Sequence, residues 1–236
     1  MKTKFNIVLI SLMFIFNRIY PQNIDYPNLI LSYSETKDLY FYAYDPPLII
    51  RADYSNINEA VNEYPEELVQ SILSARNQEW VDYNTLGGAE KSFKKKEAHF
   101  LRVATMNKDE NYFELHHKLT FNMGAIPTAL IKFYFNQEGE VPVSGCFVMQ
   151  NVDGKWKKTS NSTLSTLSIA IMRFKTDVLS GIILGTSQNE DIINLRQRVT
   201  TNGSLDLVKF ENEFSSWYSP VIDGGKIELF KDPNSW

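Results

Sequence analysis

The sequence predicts an α+β fold, in which a helix packs on an antiparallel β-meander of four to five strands, followed by a C-terminal helical segment and a short hairpin. Three observations predict this fold. Residues 65–86 begin and end like a helix, residues 98–159 contain short apolar runs separated by turn-forming residues, and the apolar spacing becomes helical after residue 160.

The N-terminal segment carries the pattern of an export signal. Two lysines in residues 1–4 precede a twelve-residue apolar run, FNIVLISLMFIF, at residues 5–16. This pattern predicts a signal peptide over residues 1–21 and a protein that is periplasmic, displayed on the cell surface or secreted. Arg18 follows the run and no small-residue cleavage motif is present, so an uncleaved N-terminal membrane tether is the alternative.

The charge and the cysteine content restrict the partners and the means of stabilisation. The chain has 24 basic and 28 acidic residues, and loss of Lys2, Lys4 and Arg18 with the signal changes the net charge from −4 to −7. Such an acidic chain argues against nucleic acid and anionic membranes as partners. Cys146 is the only cysteine, which excludes an intramolecular disulfide, and we expect it to be a small buried hydrophobe.

A strand and a helix are predicted first along the chain. Residues 39–44 alternate as a strand that ends at the Asp-Pro-Pro of residues 45–47. Pro65 suits the first position of a helix, acidic residues follow it, and Gly87-Gly88 ends it, so one helix is expected over residues 65–86.

The antiparallel meander is predicted after a basic linker. Residues 91–96 are rich in lysine and are expected to be a solvated linker. Strands are expected at about 98–106, 112–122, 128–136, 141–150 and 155–159. The connections are too short for anything except antiparallel neighbours, and the prediction is one α+β domain over residues 22–160.

The C-terminal part is predicted to be a helical extension over residues 161–236 that packs on the same domain. Apolar residues from Leu164 to Val178 recur at helical spacing, and Ser187 to Glu190 matches a capping box before a second helix. A third stripe consists of Leu207, Phe210, Phe214 and Trp217. Pro220 is expected to end that helix, and residues 221–230 to form the hairpin.

No sequence motif for a nucleotide, a metal or a catalytic nucleophile is present, so neither a cofactor nor a metal is expected. On the predicted helix Glu79 and Asp82 share one side, where we expect a solvated face in preference to a catalytic carboxylate pair.

The histidines provide the candidate site. If Met106 pairs with Tyr112 in a hairpin, His99 and His117 become diagonal neighbours on its apolar face, separated by roughly 7 Å. The adjacent His116 and His117 would then point to opposite faces of the sheet. His117 and His99 are therefore the candidates for a ligand pocket, and the alternative is that each is a neutral, hydrogen-bonded residue at the margin of the core.

The helix, the long meander and the Asp-Gly-Lys-Trp turn of residues 153–156 together resemble the cystatin-like superfold, including its nuclear-transport-factor-2-like branch. The resemblance covers about residues 55–160 and implies a curved sheet that wraps a helix. That superfold contains both enzymes and binding modules, and no catalytic residue carries over.

Two functions are expected from these observations. The first is a non-enzymatic exported binding or accessory protein whose partner is a small apolar ligand, a peptide or an envelope protein. The second is a small hydrolase, isomerase or dehydratase that uses His117, alone or with His99, in a pocket on the concave face of the sheet.

Overall fold

The structure is a computed structural model and describes residues 36–218. Its strands are β1 (Thr36–Ile50), β2 (Tyr112–Met123), β3 (Ile126–Asn136), β4 (Val143–Val152), β5 (Lys155–Lys158), β6 (Thr200–Thr201) and β7 (Ser204–Leu205). Its α-helices are α1 (Pro65–Ser74), α2 (Gln78–Asn84), α3 (Glu97–Thr105), α4 (Ser165–Arg173), α5 (Thr176–Leu184), α6 (Glu190–Val199) and α7 (Leu207–Tyr218). Short 3-10 turns lie at Ile57–Glu59, Gly88–Glu90 and Ser162–Leu164.

The strands β1 to β5 form one antiparallel sheet in sequence order, and β6 pairs with β7 in a separate hairpin. The predicted α+β fold is therefore confirmed, and so are the predicted strands at 112–122, 128–136, 141–150 and 155–159, to within a few residues at each end. These strands could be predicted because the connections between them are short, and a short connection can join only antiparallel neighbours.

One face of the sheet packs against α1. Leu68 and Val69 of that helix have no exposed surface and share a core cluster with Leu115 and Ile131 of the sheet. A buried ion pair also ties the helix to β2, because Glu66 accepts hydrogen bonds from Lys118 and from the Tyr44 hydroxyl. This ion pair holds the N-terminal end of α1 against β2.

The opposite face is covered by the C-terminal helices. Leu119 and Leu130 of the sheet pack in one cluster with Ile171, Ile182 and Phe210 of α4, α5 and α7. The predicted stripe from Leu164 to Val178 is divided between two helices at Phe174 and Lys175. Both faces of the sheet are consequently buried by helices.

A β-bulge in β2 contradicts the predicted alternation of that strand. The pairing with β3 shifts by one residue at His116, between the pairs Leu115 with Phe133 and His117 with Lys132. The extra residue reverses the alternation. Leu115 therefore faces α1 whereas Leu119 faces the C-terminal helices, although the sequence predicted that they share a face.

The predicted strand at 98–106 is wrong, because these residues form α3. A helix in this place removes the hairpin on which the pairing of Met106 with Tyr112 depended. The acidic Glu97 in its first turn and Arg102 in its last turn both favour the helix through its dipole.

Two further boundaries differ from the prediction. The helix expected at 65–86 is divided into α1 and α2, because Asn77 caps a new helix by accepting a hydrogen bond from the Trp80 amide at 2.8 Å. Strand β1 continues through Pro46 and Pro47 to Ile50, with a register shift between Ala43 and Leu48.

The predicted signal at 1–21, the helix end at Pro220 and the hairpin at 221–230 lie outside the described residues. Between residues 36 and 218, no helix is both long enough and apolar enough to cross a membrane.

Candidate functional site

A large cavity opens between one end of the sheet and the helices α1, α2 and α3. Its volume is about 1070 Å³, which is at the upper end of the range for small-molecule sites. Packed protein interiors leave few gaps larger than a water molecule, so a space of this size is not an ordinary packing defect.

The floor of the cavity consists of four phenylalanines from three neighbouring strands: Phe113, Phe133, Phe135 and Phe147. The rings of Phe133 and Phe147 stack with their centres 4.3 Å apart, and Phe113 meets Phe147 edge-on at 5.3 Å. Phe133 and Phe135 are only half-buried. The floor is therefore a continuous aromatic surface that remains open to the cavity.

Gly145 makes room for this floor. It pairs with Phe133 across the strands, and a Cβ atom at this position would lie 2.2 Å from Cζ of the Phe133 ring. Only a residue without a side chain lets the ring lie across β4. The sequence contained no signal for this contact, because the partner of a strand glycine depends on the register.

Helix α3 forms one wall. His99, Arg102, Val103 and Met106 line the cavity at the three- and four-residue spacing of one helical face. Leu101 lies on the other side of the helix and is 61% exposed. None of the residues of α3 is buried, so the wall stands over the cavity without filling it.

The basic segment 91–96 is mostly exposed, as expected of a solvated linker, and it also forms a second wall of the cavity. Gln78 fixes it, because its amide oxygen accepts a hydrogen bond from the Lys95 backbone at 2.9 Å. The Gln78 amide nitrogen donates to Asp82 at 2.6 Å, and the Ser92 hydroxyl donates to the same carboxylate. The hydrogen bonds from Ser92 and Gln78 lower the pKa of Asp82, which also pairs with Lys94.

Five of the residues that line the cavity are basic, namely Lys91, Lys95, Arg102, Lys158 and His99, and this group is called the mouth below. Among residues 36–218, none that line the cavity is an aspartate or a glutamate, and none of these lysines or Arg102 forms a salt bridge. Loss of solvent lowers the pKa of Lys158, and the charge of Lys95 lowers it further. The pKa of His99 is lowered by desolvation and then by Lys95 and Arg102. The mouth is a region of uncompensated positive charge.

A second group of polar side chains lies on the opposite face of the sheet. His117, Lys132 and Cys146 are cross-strand neighbours on β2, β3 and β4. His117 is 1% exposed, and its Nε2 atom lies 3.0 Å from the hydroxyl oxygen of Ser180 in α5. Lys132 has no exposed surface and donates to the carbonyl oxygen of Phe174, at the end of α4. This row is enclosed by the C-terminal helices.

The environment of this row keeps His117 and Cys146 uncharged. Burial lowers the pKa of His117 to about 3, and the charges of Lys132 and His116 act in the same direction. Burial raises the pKa of the Cys146 thiol to about 12. The prediction that Cys146 is a small buried hydrophobe agrees with this environment in part, because the residue is half-buried and packs beside the C-terminal core cluster.

The structure does not bring the two candidate histidines together. His99 lines the cavity, whereas His117 lies on the other face of the sheet, so the expected diagonal contact is wrong. The bulge also overturns the expectation for His116, whose ring packs edge-on against Tyr134 of the same face as His117, with ring centres 4.6 Å apart. A ligand-binding role for either histidine stays a prediction.

In the part of the chain that the structure describes, no group of three or more histidine, cysteine, aspartate or glutamate side chains is arranged to hold a metal ion. Glu79 is exposed, and Asp82 is engaged with Ser92, Gln78 and Lys94. Comparisons of this chain with family models, with curated proteins and with solved structures gave no match.

Proposed function

We propose that this chain is a non-enzymatic binding protein whose cavity takes a small ligand with an apolar body. The observation that carries the proposal is the cavity of about 1070 Å³ over a floor of four phenylalanines. Concave sites with mostly apolar walls and a few polar groups at one side are the usual form of small-molecule sites.

The partly exposed rings explain why a ligand would bind. Phe133 and Phe135 keep apolar surface that no side chain of the protein covers. Each Å² of such surface that a ligand removes from water contributes roughly 25 cal/mol. The rings also pack against each other, since the centre of the Phe113 ring lies 4.8 Å from the ring centres of both Phe133 and Phe135. The floor is therefore formed before a ligand arrives.

The geometry favours binding over the alternative of a histidine-based hydrolase or isomerase. That alternative relies on His117, alone or with His99, in an open pocket, whereas His117 lies on the face of the sheet away from the cavity, beside Ser180 of α5. His117 is enclosed and stays neutral because burial lowers its pKa to about 3. An imidazole that is out of reach and does not titrate near neutrality is not suited to acid–base catalysis.

The proposal includes export and a cystatin-like arrangement. The N-terminal apolar run supports export to the periplasm, the cell surface or the surroundings, with a membrane tether if the run is retained. The order of α1 and the strands β2 to β5 supports the cystatin-like resemblance. In such a setting the ligand would be a small molecule, although a peptide or an envelope protein would also use an apolar floor. The mass of the mature N-terminus tests export directly.

The binding proposal is tested with N-phenyl-1-naphthylamine, a neutral apolar dye that fluoresces when it leaves water. We expect saturable binding with one site per chain. We also expect the melting temperature to rise with dye concentration, because a ligand that binds the folded state alone stabilises it by mass action.

A matched pair of variants on α3 locates the site. Val103→Trp places an indole in the cavity, whereas Leu101→Trp places the same side chain on the exposed side of the same helix. Binding should be lost in the first variant and kept in the second. Equal binding by both variants, or no saturable binding by the unmodified protein, would show that the cavity is not the site.

A further inference from the structure

We propose that the ligand is an amphipathic anion, whose apolar body lies on the phenylalanine floor and whose negatively charged group lies among the basic side chains at the mouth. This inference rests on the proposed binding function and specifies the class of its ligand.

Some surface cations of this chain pair with a carboxylate, and the cations of the mouth are among those that do not. Arg51, Lys94 and Lys108 each pair with a carboxylate, on Asp109, Asp82 and Asp53 respectively. Lys91, Lys95, Arg102 and Lys158 form no such pair among the described residues. What sets them apart is their place, because all four line one cavity whose described lining contains no aspartate or glutamate.

These cations also act on one another. Desolvation is the larger cause of the lowered pKa of Lys158 and of His99, and the charge of Lys95 lowers both further, with Arg102 contributing at His99. The cations of the mouth therefore repel one another, and an anion placed among them relieves the repulsion. A neutral ligand of the same shape gives no such relief, so the site discriminates by charge.

The floor requires that the anion has an apolar body. The Lys158 ammonium lies 5.9 Å from the centre of the Phe147 ring, so the charged mouth and the aromatic floor adjoin each other. A small inorganic anion would neutralise the basic residues of the mouth but would leave the phenylalanine floor exposed to water. Carboxylate, sulfate and phosphate headgroups share the chemistry that the mouth recognises.

The test compares ten-carbon chains that differ only in the headgroup, each measured by displacement of N-phenyl-1-naphthylamine. Decanoate should bind about tenfold more tightly than decanol, because one charge-assisted contact supplies a factor of this order, and decyltrimethylammonium should bind more weakly than decanol. Decyl sulfate and decyl phosphate then rank the anionic headgroups. The advantage of decanoate should shrink as salt is added, since the mouth is exposed.

The double substitution Arg102→Gln with Lys158→Gln removes one positive charge from α3 and one from β5, and it keeps much of each side chain. Affinity for decanoate should fall by about tenfold or more, while affinity for decanol changes by less than about twofold. Lys108→Gln, which removes a paired cation outside the cavity, should leave both affinities unchanged. Melting curves of each variant confirm that it is folded.

Two outcomes separate the inference from the binding proposal. Equal affinity for decanoate and decanol, or a preference for decanoate that survives the double substitution, overturns the inference and leaves dye binding intact. Failure of the dye itself to bind overturns the proposed function, and the inference with it.

Discussion

Replacing His117 by glutamine is expected to make the stability of the protein less sensitive to acid. The pKa of His117 falls from the ordinary 6.5 to about 3 in the folded protein, first because of burial and then because of Lys132. Below about pH 6.5 the unfolded chain therefore takes up a proton that the folded chain does not. Stability conferred by neutral His117 is complete above that pH and is lost as the pH falls.

The magnitude follows from the proton count. One proton changes the free energy of unfolding by about 1.4 kcal/mol per pH unit, so acidification to about pH 5 removes about 2 kcal/mol through His117 alone. His117→Gln lacks this contribution, since an amide does not titrate. At neutral pH the variant is expected to be less stable than the unmodified protein, because it loses the contact of the imidazole with the Phe41 ring.

Urea unfolding at a series of pH values, followed by tryptophan fluorescence, measures the effect, because Trp80 and Trp156 are buried and become exposed on unfolding. The stability gap between the two proteins should narrow by about 2 kcal/mol between about pH 7.5 and 5. Ser180→Ala is the control, since it removes the hydroxyl beside Nε2 but keeps the imidazole buried, and the acid sensitivity should remain. Parallel loss of stability in the unmodified protein and His117→Gln would refute the buried, neutral placement of His117.

Three further changes test the two faces of the sheet. Because burial raises the pKa of the Cys146 thiol to about 12, its reaction with a disulfide reagent at about pH 8 should be at least roughly tenfold slower in the folded protein than in urea, after the higher intrinsic nucleophilicity of such a thiolate is allowed for; equal rates would contradict that environment. Lys132→Met should cost about 1–3 kcal/mol in urea unfolding, because the Phe174 carbonyl oxygen loses its buried donor; unchanged stability would contradict that bond. Gly145→Ala should cost about 1–3 kcal/mol and weaken dye binding, because its Cβ would displace the Phe133 ring; unaltered dye binding would argue against the floor.

The meander could be predicted because its signals are local. The β4–β5 hairpin turns at Asp153 and Gly154, whose φ values are +54° and +78°, and this pair is a favoured two-residue turn. Similar short connections specified the strands β2 to β4. No long-range information was needed to recognise these neighbours.

Helix α3 was not predicted because its sequence fits both the alternation of a strand and the spacing of a helix. Leu101 and Val103 alternate as they would in a strand, but Leu101 is 61% exposed and Val103 faces the cavity. The relevant positions are His99, Arg102, Val103 and Met106, whose spacing is helical. Two of these four residues, His99 and Arg102, are basic. A search for apolar residues at helical spacing therefore does not detect the face of α3 that lines the cavity.

The bulge at His116 was hidden for a different reason. In a sheet that is solvated on one face, a change of alternation appears as polar residues at apolar positions. Here α1 covers one face and the C-terminal helices cover the other, so Leu115 and Leu119 are both buried although they face opposite ways. Apolar residues occupy odd-numbered positions on both sides of the bulge, from Leu115 before it to Leu119 after it. The alternation in the sequence therefore gives no sign of the bulge.

The cavity depends on a contrast between the two layers of helices. The C-terminal helices place large side chains such as Phe174 and Phe210 directly on the sheet, whereas α3 buries none of its residues. Gly145 lets Phe133 lie across β4, so the floor also does not rise to meet α3. Apolar surface left on both sides of a gap is unfavourable in water, and a folded chain normally repacks to remove it. The proposed ligand would cover this apolar surface with its body and bring a negative charge to the cations that line the same gap.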